Sequence, residues 1–168
     1  MARVSAPGLR PFLPADARAL ATLFRASVEE LTAEDYSEDQ RAAWTSAADD
    51  AAGFADRLAA GLTLVALVDG RIAGFAALRD NSLFDMLYVR PDLVRQGVGS
   101  ALTDAIEKLA AGRGAKLLTV EASDSARDFF AARGYVPQSR NTIMLGGEWL
   151  GNTTMTKELA AAATGGPH

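Results

Sequence analysis

The chain has 168 residues, 49% of them hydrophobic, which is enough for one sizeable core and cramped for two. Its 17 basic residues are outnumbered by 21 acidic ones, for a net charge of -4, and no basic block occurs, so nucleic acid is not an expected partner. There is no cysteine, and the single histidine is the last residue, His168, which excludes disulfides, thiolate nucleophiles, His- or Cys-type metal sites and a histidine base inside the fold.

The first nine residues lack the apolar core of a signal peptide, and no later stretch approaches a membrane-spanning length. A cytoplasmic protein with no membrane partner is expected. Residues 9–12 form a short apolar run, after which Leu20, Leu23, Phe24, Val28 and Leu31 recur at helical spacing with Asp16 as candidate N-cap. Two further helices are expected over 38–44 and 50–60, with Ser37 and Asp49 as caps and Gly61 as the stop. Strands over 62–68 and 71–78 flank Asp69-Gly70, a strong hairpin signal, and a third strand over 83–89 ends at Pro91. The period then changes: Val98, Ala101, Leu102, Ala105, Ile106 and Leu109 share one helical face, closed by Gly112 and Gly114.

A strand over 116–121, a helix over 124–133 stopped by Gly134, and a hairpin with arms over 135–145 and 148–159 around Gly146-Gly147 complete the pattern. Hairpins, one strand-helix-strand crossover and a closing hairpin predict an α/β fold: a mixed, mostly antiparallel sheet with helices on both faces. One domain is expected over 1–159, and 160–168, small residues ending in Gly-Gly-Pro-His, reads as a flexible tail. An exposed final strand would be a pairing edge for a homodimer.

Gly97-Val98-Gly99 follows a strand and leads straight into a well-patterned helix. The first turn of a helix offers unpaired N–H groups and a partial positive charge, a natural seat for phosphate oxygens, and glycines admit the ligand to the main chain. Gly99 is followed by Ser100, Ala101 and Leu102, which matches neither a nucleoside-triphosphate loop nor a three-glycine dinucleotide loop. On the glycines alone, a plain strand-to-helix turn is the better account of the segment.

The surrounding segment, Leu87-Tyr88-Val89-Arg90-Pro91-Asp92 and then Arg95-Gln96-Gly97-Val98-Gly99-Ser100-Ala101-Leu102, resembles the acyl-CoA-binding motif of the GCN5-related N-acetyltransferase (GNAT) superfamily. Ala126-Arg127-Asp128-Phe129-Phe130-Ala131-Ala132-Arg133-Gly134-Tyr135 resembles that superfamily's next helix and its exit, and the order of elements agrees over residues 7–159. The resemblance implies transfer of an acetyl group from acetyl-CoA to a primary amine, small molecule or peptide, by direct attack. It implies a pyrophosphate on the loop formed by Arg95, Gln96, Gly97, Val98, Gly99 and Ser100, with the pantetheine arm along the main chain of Leu87 and Val89. Two positions depart from the pattern: Val94 stands where an Arg or Gln is usual, and Phe130 where a tyrosine general acid is common.

For the proton acceptor, Asp85 stands out because alternation puts Leu83, Leu87 and Val89 on its face of an otherwise apolar strand. A carboxylate there is costly unless used or paired, so it is either a general base or the partner of an arginine. Glu121, at the carboxyl end of the neighbouring strand, is the second candidate. Tyr36 and Trp44 fall where the resembling family walls its acceptor cleft; they, Tyr88, Tyr135 and Trp149 equally suit core packing. Two other functions compete with catalysis: a non-catalytic acyl-CoA-binding or sensing module, which Phe130 favours, and an interaction domain that keeps only the fold.

Overall fold

The computed structural model describes residues 6–160, so the expected tail, apart from Ala160, lies outside the described residues. A short strand β1 (Gly8–Pro11) leads to helices α1 (Ala17–Leu31), α2 (Glu38–Thr45) and α3 (Ala51–Ala60). Strands β2 (Leu62–Val68), β3 (Arg71–Arg79) and β4 (Leu83–Val89) follow, then helix α4 (Val98–Gly112), β5 (Leu117–Ser123), α5 (Arg127–Ala132), and the hairpin β6 (Val136–Leu145) and β7 (Glu148–Glu158).

The strands form one seven-stranded sheet in the order β1-β2-β3-β4-β5-β7-β6, antiparallel throughout except for the parallel β4–β5 pair. The crossover through α4 accounts for that pair, because parallel neighbours need a long connection. Each face buries its own core. Leu20, Phe24, Phe54 and Leu58 from α1 and α3 pack with Phe75 and Met86 on one face. Leu102 and Ile106 from α4 and Phe130 from α5 pack with Phe84, Leu118 and Met155 on the other.

Local chemistry explains most boundaries. Asp69 and Gly70 both take positive φ, 51° and 77°, the backbone of a tight two-residue hairpin. Ser37 accepts from the Gln40 amide while Gln40 returns a bond to the Ser37 N–H, a reciprocal cap for α2. Two expected caps differ. Asp50, not Asp49, accepts from the Gly53 amide at the start of α3, 3.0 Å. Asp16 makes no cap bond to α1; it accepts from the Leu13 amide and pairs with Arg10, 2.7 Å, which keeps its carboxyl below the usual carboxylate range. The pairing edge also moves. The last strand, β7, is covered on both sides by β5 and β6, and the edge belongs to β6.

Candidate active site

β4 and β5 pair only at Leu83↔Thr119 and Phe84↔Val120. Past that point the strands part, and a cleft of about 610 Å³ opens between them. The inner edge of β4 is thereby left without a neighbouring strand. The Arg90 amide donates to the Ala73 carbonyl on β3, 2.8 Å, so alternation turns the main chain of Val89 and Leu87 toward the opposite edge, into the cleft. Two extended residues with their N–H and C=O groups open are a template for an amide-bearing chain to pair with.

The glycine loop stands at the mouth of this edge. Arg95 and Gly97 take positive φ, 63° and 83°, and Gly97 is the residue from which α4 starts. The first helical bond runs from the Ala101 amide to the Gly97 carbonyl, 2.9 Å, which leaves the N–H groups of Val98, Gly99 and Ser100 without helical partners. A β-carbon placed on Gly97 would meet nothing within 4 Å, and one on Gly99 only the Phe129 ring at 3.6 Å and Val89 at 3.8 Å, so space lies open over the amides. Val94, Arg95, Gly97, Gly99 and Ser100 line the cleft. Gln96 is exposed beside it, and the Val98 side chain is buried in the core, so any contribution from Val98 to a ligand is through its main chain.

Asp85 is placed differently from the strand-alternation reading. β4 carries a bulge there: Ala77 registers with Met86 and Leu78 with Phe84, and Asp85 has no partner across the pair. The bulge resets the alternation, so Phe84, Leu87 and Val89 share the α4 face while Asp85 bonds with α3 on the other. Arg57 Nε and Nη2 hold its two oxygens, each at 3.1 Å, and Arg79 Nη2 adds a contact at 3.3 Å. These contacts have the geometry of the arginine-partner alternative, and Asp85 also lines the cleft. Arg57 and Arg79 carried no sequence signal, because basic residues near strand and helix ends are ordinary solvated positions.

Glu121 lines the cleft from β5. Leu118, Val120 and Ala122 point into the α4 core, so Glu121 faces the α1 side of the sheet. The Thr154 hydroxyl donates to its Oε2 at 2.6 Å and the Asn141 amide at 3.3 Å, while Oε1 has no partner among the described residues and the side chain is exposed. Thr154 is the register partner of Glu121 on β7, a contact that no sequence spacing announces.

The aromatic candidates separate. Tyr36 is 4% exposed; its hydroxyl donates to the Gly151 carbonyl at 2.6 Å and accepts from the Asp124 amide at 2.8 Å, tying the α1–α2 connection to β7 and to the end of β5. Trp44 and Tyr88 line the cleft, and Trp44 Nε1 donates to the Tyr88 hydroxyl at 3.2 Å. Burial pushes the Tyr88 hydroxyl up to about 12, so it is neutral at physiological pH. Phe130 is 2% exposed and meets Phe84 and Phe129 edge-on at the floor of the cleft, presenting carbon where the resembling family offers a hydroxyl. Tyr135 donates to Glu107, 2.9 Å, away from the cleft, and Trp149 is exposed on the last hairpin.

Comparison with known proteins agrees with this geometry. The family described as the acetyltransferase (GNAT) domain matches residues 32–159. A splayed parallel pair beside a glycine-led helix is thus the scaffold of an acyltransferase, and the chain belongs to the GNAT acetyltransferase family. An uncharacterized N-acetyltransferase, YafP, of Escherichia coli (strain K12) is 31% identical over 147 residues, covering 88% of this chain and 93% of that one. The crystal structure of a GCN5-related N-acetyltransferase (aminotransferase, class II) from Rhodopseudomonas palustris is 57% identical, with a TM-score of 0.92 over 95% of this chain and 99% of that one. The PaiA N-acetyltransferase of Thermoplasma acidophilum, solved in complex with coenzyme A, shares the fold at a TM-score of 0.78 and 19% identity, over 92% of this chain and 99% of that one.

Proposed function

We propose that the protein transfers the acetyl group of acetyl-CoA to a primary amine by direct attack within the β4–β5 cleft. The observation that carries this reading is the coincidence of an unpaired β4 edge at Leu87 and Val89 with the unpaired amides of residues 98–100 at its mouth. The amides and the α4 dipole suit the pyrophosphate, and the open edge suits the amide-bearing pantetheine arm. Arg95 supplies the side-chain charge that Val94 does not. CoA-bound and acetyl-CoA-bound relatives of the same fold support the choice of donor.

In this reading the acceptor's ammonium group first loses a proton through water to solvent, the neutral nitrogen bonds to the thioester carbonyl carbon, the carbon–sulfur bond breaks, and the sulfur leaves with its electron pair. Bond formation makes the nitrogen's N–H acidic, and Glu121 Oε1 takes that proton directly or through water. Thr154 and Asn141 hold the other oxygen and fix the carboxylate's orientation. The thiolate is stable enough to leave without a donor and collects a proton from solvent, which removes the need for a hydroxyl at Phe130. Asp85 serves the fold, as the anchor of Arg57 and Arg79.

The test is an assay of thiol release from acetyl-CoA across a panel of amines, run beside a thermal-shift titration with acetyl-CoA, CoA, ATP and NAD. Stabilisation by the CoA species alone, with amine-dependent thiol release, is the expected result. Stabilisation without release for any amine favours a non-catalytic acyl-CoA-binding module. No stabilisation by CoA removes the reading.

A further inference from the structure

Resting on that reading, the acceptor half of the cleft narrows the class of amine. Its wall combines Val28 and Leu31 of α1, Met86 and Tyr88 of β4, and Trp44 of α2 with two carboxylates, Glu121 and Asp85, of which Asp85 is neutralised by Arg57 and Arg79. Three features there favour a cation. Glu121 keeps one oxygen without a partner among the described residues. α1 ends at Leu31 against the cleft and so turns the negative end of its dipole toward it. Trp44 and Tyr88 line the same wall, and aromatic rings attract an ammonium group.

Among the described residues lining the cleft the only cationic side chain is Arg95, on the phosphate loop. Arg57 and Arg79 are held by Asp85, Arg41 by Glu29 and the Tyr36 carbonyl, and Arg140 by Asp124. An acceptor carrying a carboxylate or phosphate would set that charge beside Glu121 with no cationic side chain of the wall to pair it, and like charges brought together cost affinity.

We propose that the acceptor is a primary amine on an apolar or aromatic body that bears no carboxylate or phosphate, seated with its ammonium group at Glu121 and its body against Trp44, Leu31 and Met86. An amino acid is rejected by its own carboxylate. A polyamine is a poorer substrate because its second and third ammonium groups enter an apolar wall.

The experiment compares phenethylamine, phenylalanine and spermidine as acceptors at saturating acetyl-CoA, with thiol release as readout. Phenethylamine and phenylalanine differ only by the carboxylate, so kcat/KM should favour the former by on the order of 10²-fold, as expected for like charges brought together. Spermidine should fall between them or below. Comparable kcat/KM for phenylalanine, a clear preference for spermidine, or release with none of the three while acetyl-CoA still stabilises the protein each overturns the inference and leaves donor binding standing. Absence of that stabilisation would instead remove the function on which it rests. A Leu31→Arg variant sharpens the test, since Leu31 is 38% exposed and tolerates a long side chain. It should narrow the phenethylamine-to-phenylalanine ratio by roughly tenfold through a new guanidinium–carboxylate contact. An unchanged ratio in this variant, with the fold intact, contradicts the charge argument.

Discussion

The two sides of the cleft are built from different materials. The side proposed for the donor is main chain: the amides of residues 98–100, the open edge at Leu87 and Val89, and glycines whose lack of a side chain exposes them. The acceptor side is side chains drawn from α1, α2, β4 and β5, with support from β6 and β7. Main-chain recognition tolerates substitution around it and is shared widely, whereas a side-chain wall can be rebuilt residue by residue. The donor is therefore the general property of this scaffold, and the acceptor the particular one.

Substitutions should separate the two sides. The largest effect is expected from Gly99→Glu, which sets a carboxylate against the pyrophosphate and should weaken CoA binding by more than about 10²-fold, since like charges brought together cost several kcal/mol. Calorimetric titration reads this directly. Gly99 is the better position, because Gly97 sits at φ 83° and any side chain there adds backbone strain. Next is Glu121→Gln, expected to lower kcat by about 10²-fold with CoA affinity unchanged, the usual scale for loss of a general base. If it lowers CoA affinity instead, the division between the sides fails.

Thr154→Val removes the 2.6 Å bond to Glu121 without touching the donor side. A loss of one hydrogen bond to a charged group corresponds to roughly a tenfold drop in kcat, visible in steady-state kinetics, with little change in the melting temperature. Asp85→Asn should do the reverse. It weakens the anchor of two arginines that are themselves partly exposed, so stability should fall by about 1–3 kcal/mol in a denaturation experiment while turnover changes less than about threefold. Collapse of kcat with stability retained would return Asp85 to the catalytic role.

The same division explains what was legible in the sequence. β2 and β4 lie where alternation and turn residues put them, and the Asp69-Gly70 and Gly146-Gly147 turns follow from backbone demands that glycine and aspartate meet locally. The geometry of the glycine loop was legible for the same reason, since a turn through Gly97 into α4 is a backbone property written in a few adjacent residues. Asp85 was misplaced in the alternation because a bulge shifts the face of a strand without marking its composition. Arg57, Thr154 and Asn141 lie 28, 33 and 20 positions from the carboxylates they hold, and only the fold brings them there. Tyr36 and Trp44 illustrate the limit within one aromatic pair: they touch edge-on, yet one staples β7 to the α1–α2 connection and the other lines the cleft.

The most direct measurement of the central claim is calorimetric titration of acetyl-CoA into the unmodified chain and into Gly99→Glu, with melting temperatures recorded for both without ligand. The account predicts saturable binding to the first, none detectable to the second, and closely similar melting temperatures, because a β-carbon at Gly99 meets only ordinary contacts. Equal affinity for both proteins would contradict it, and would reduce the glycine loop to a turn between a strand and a helix.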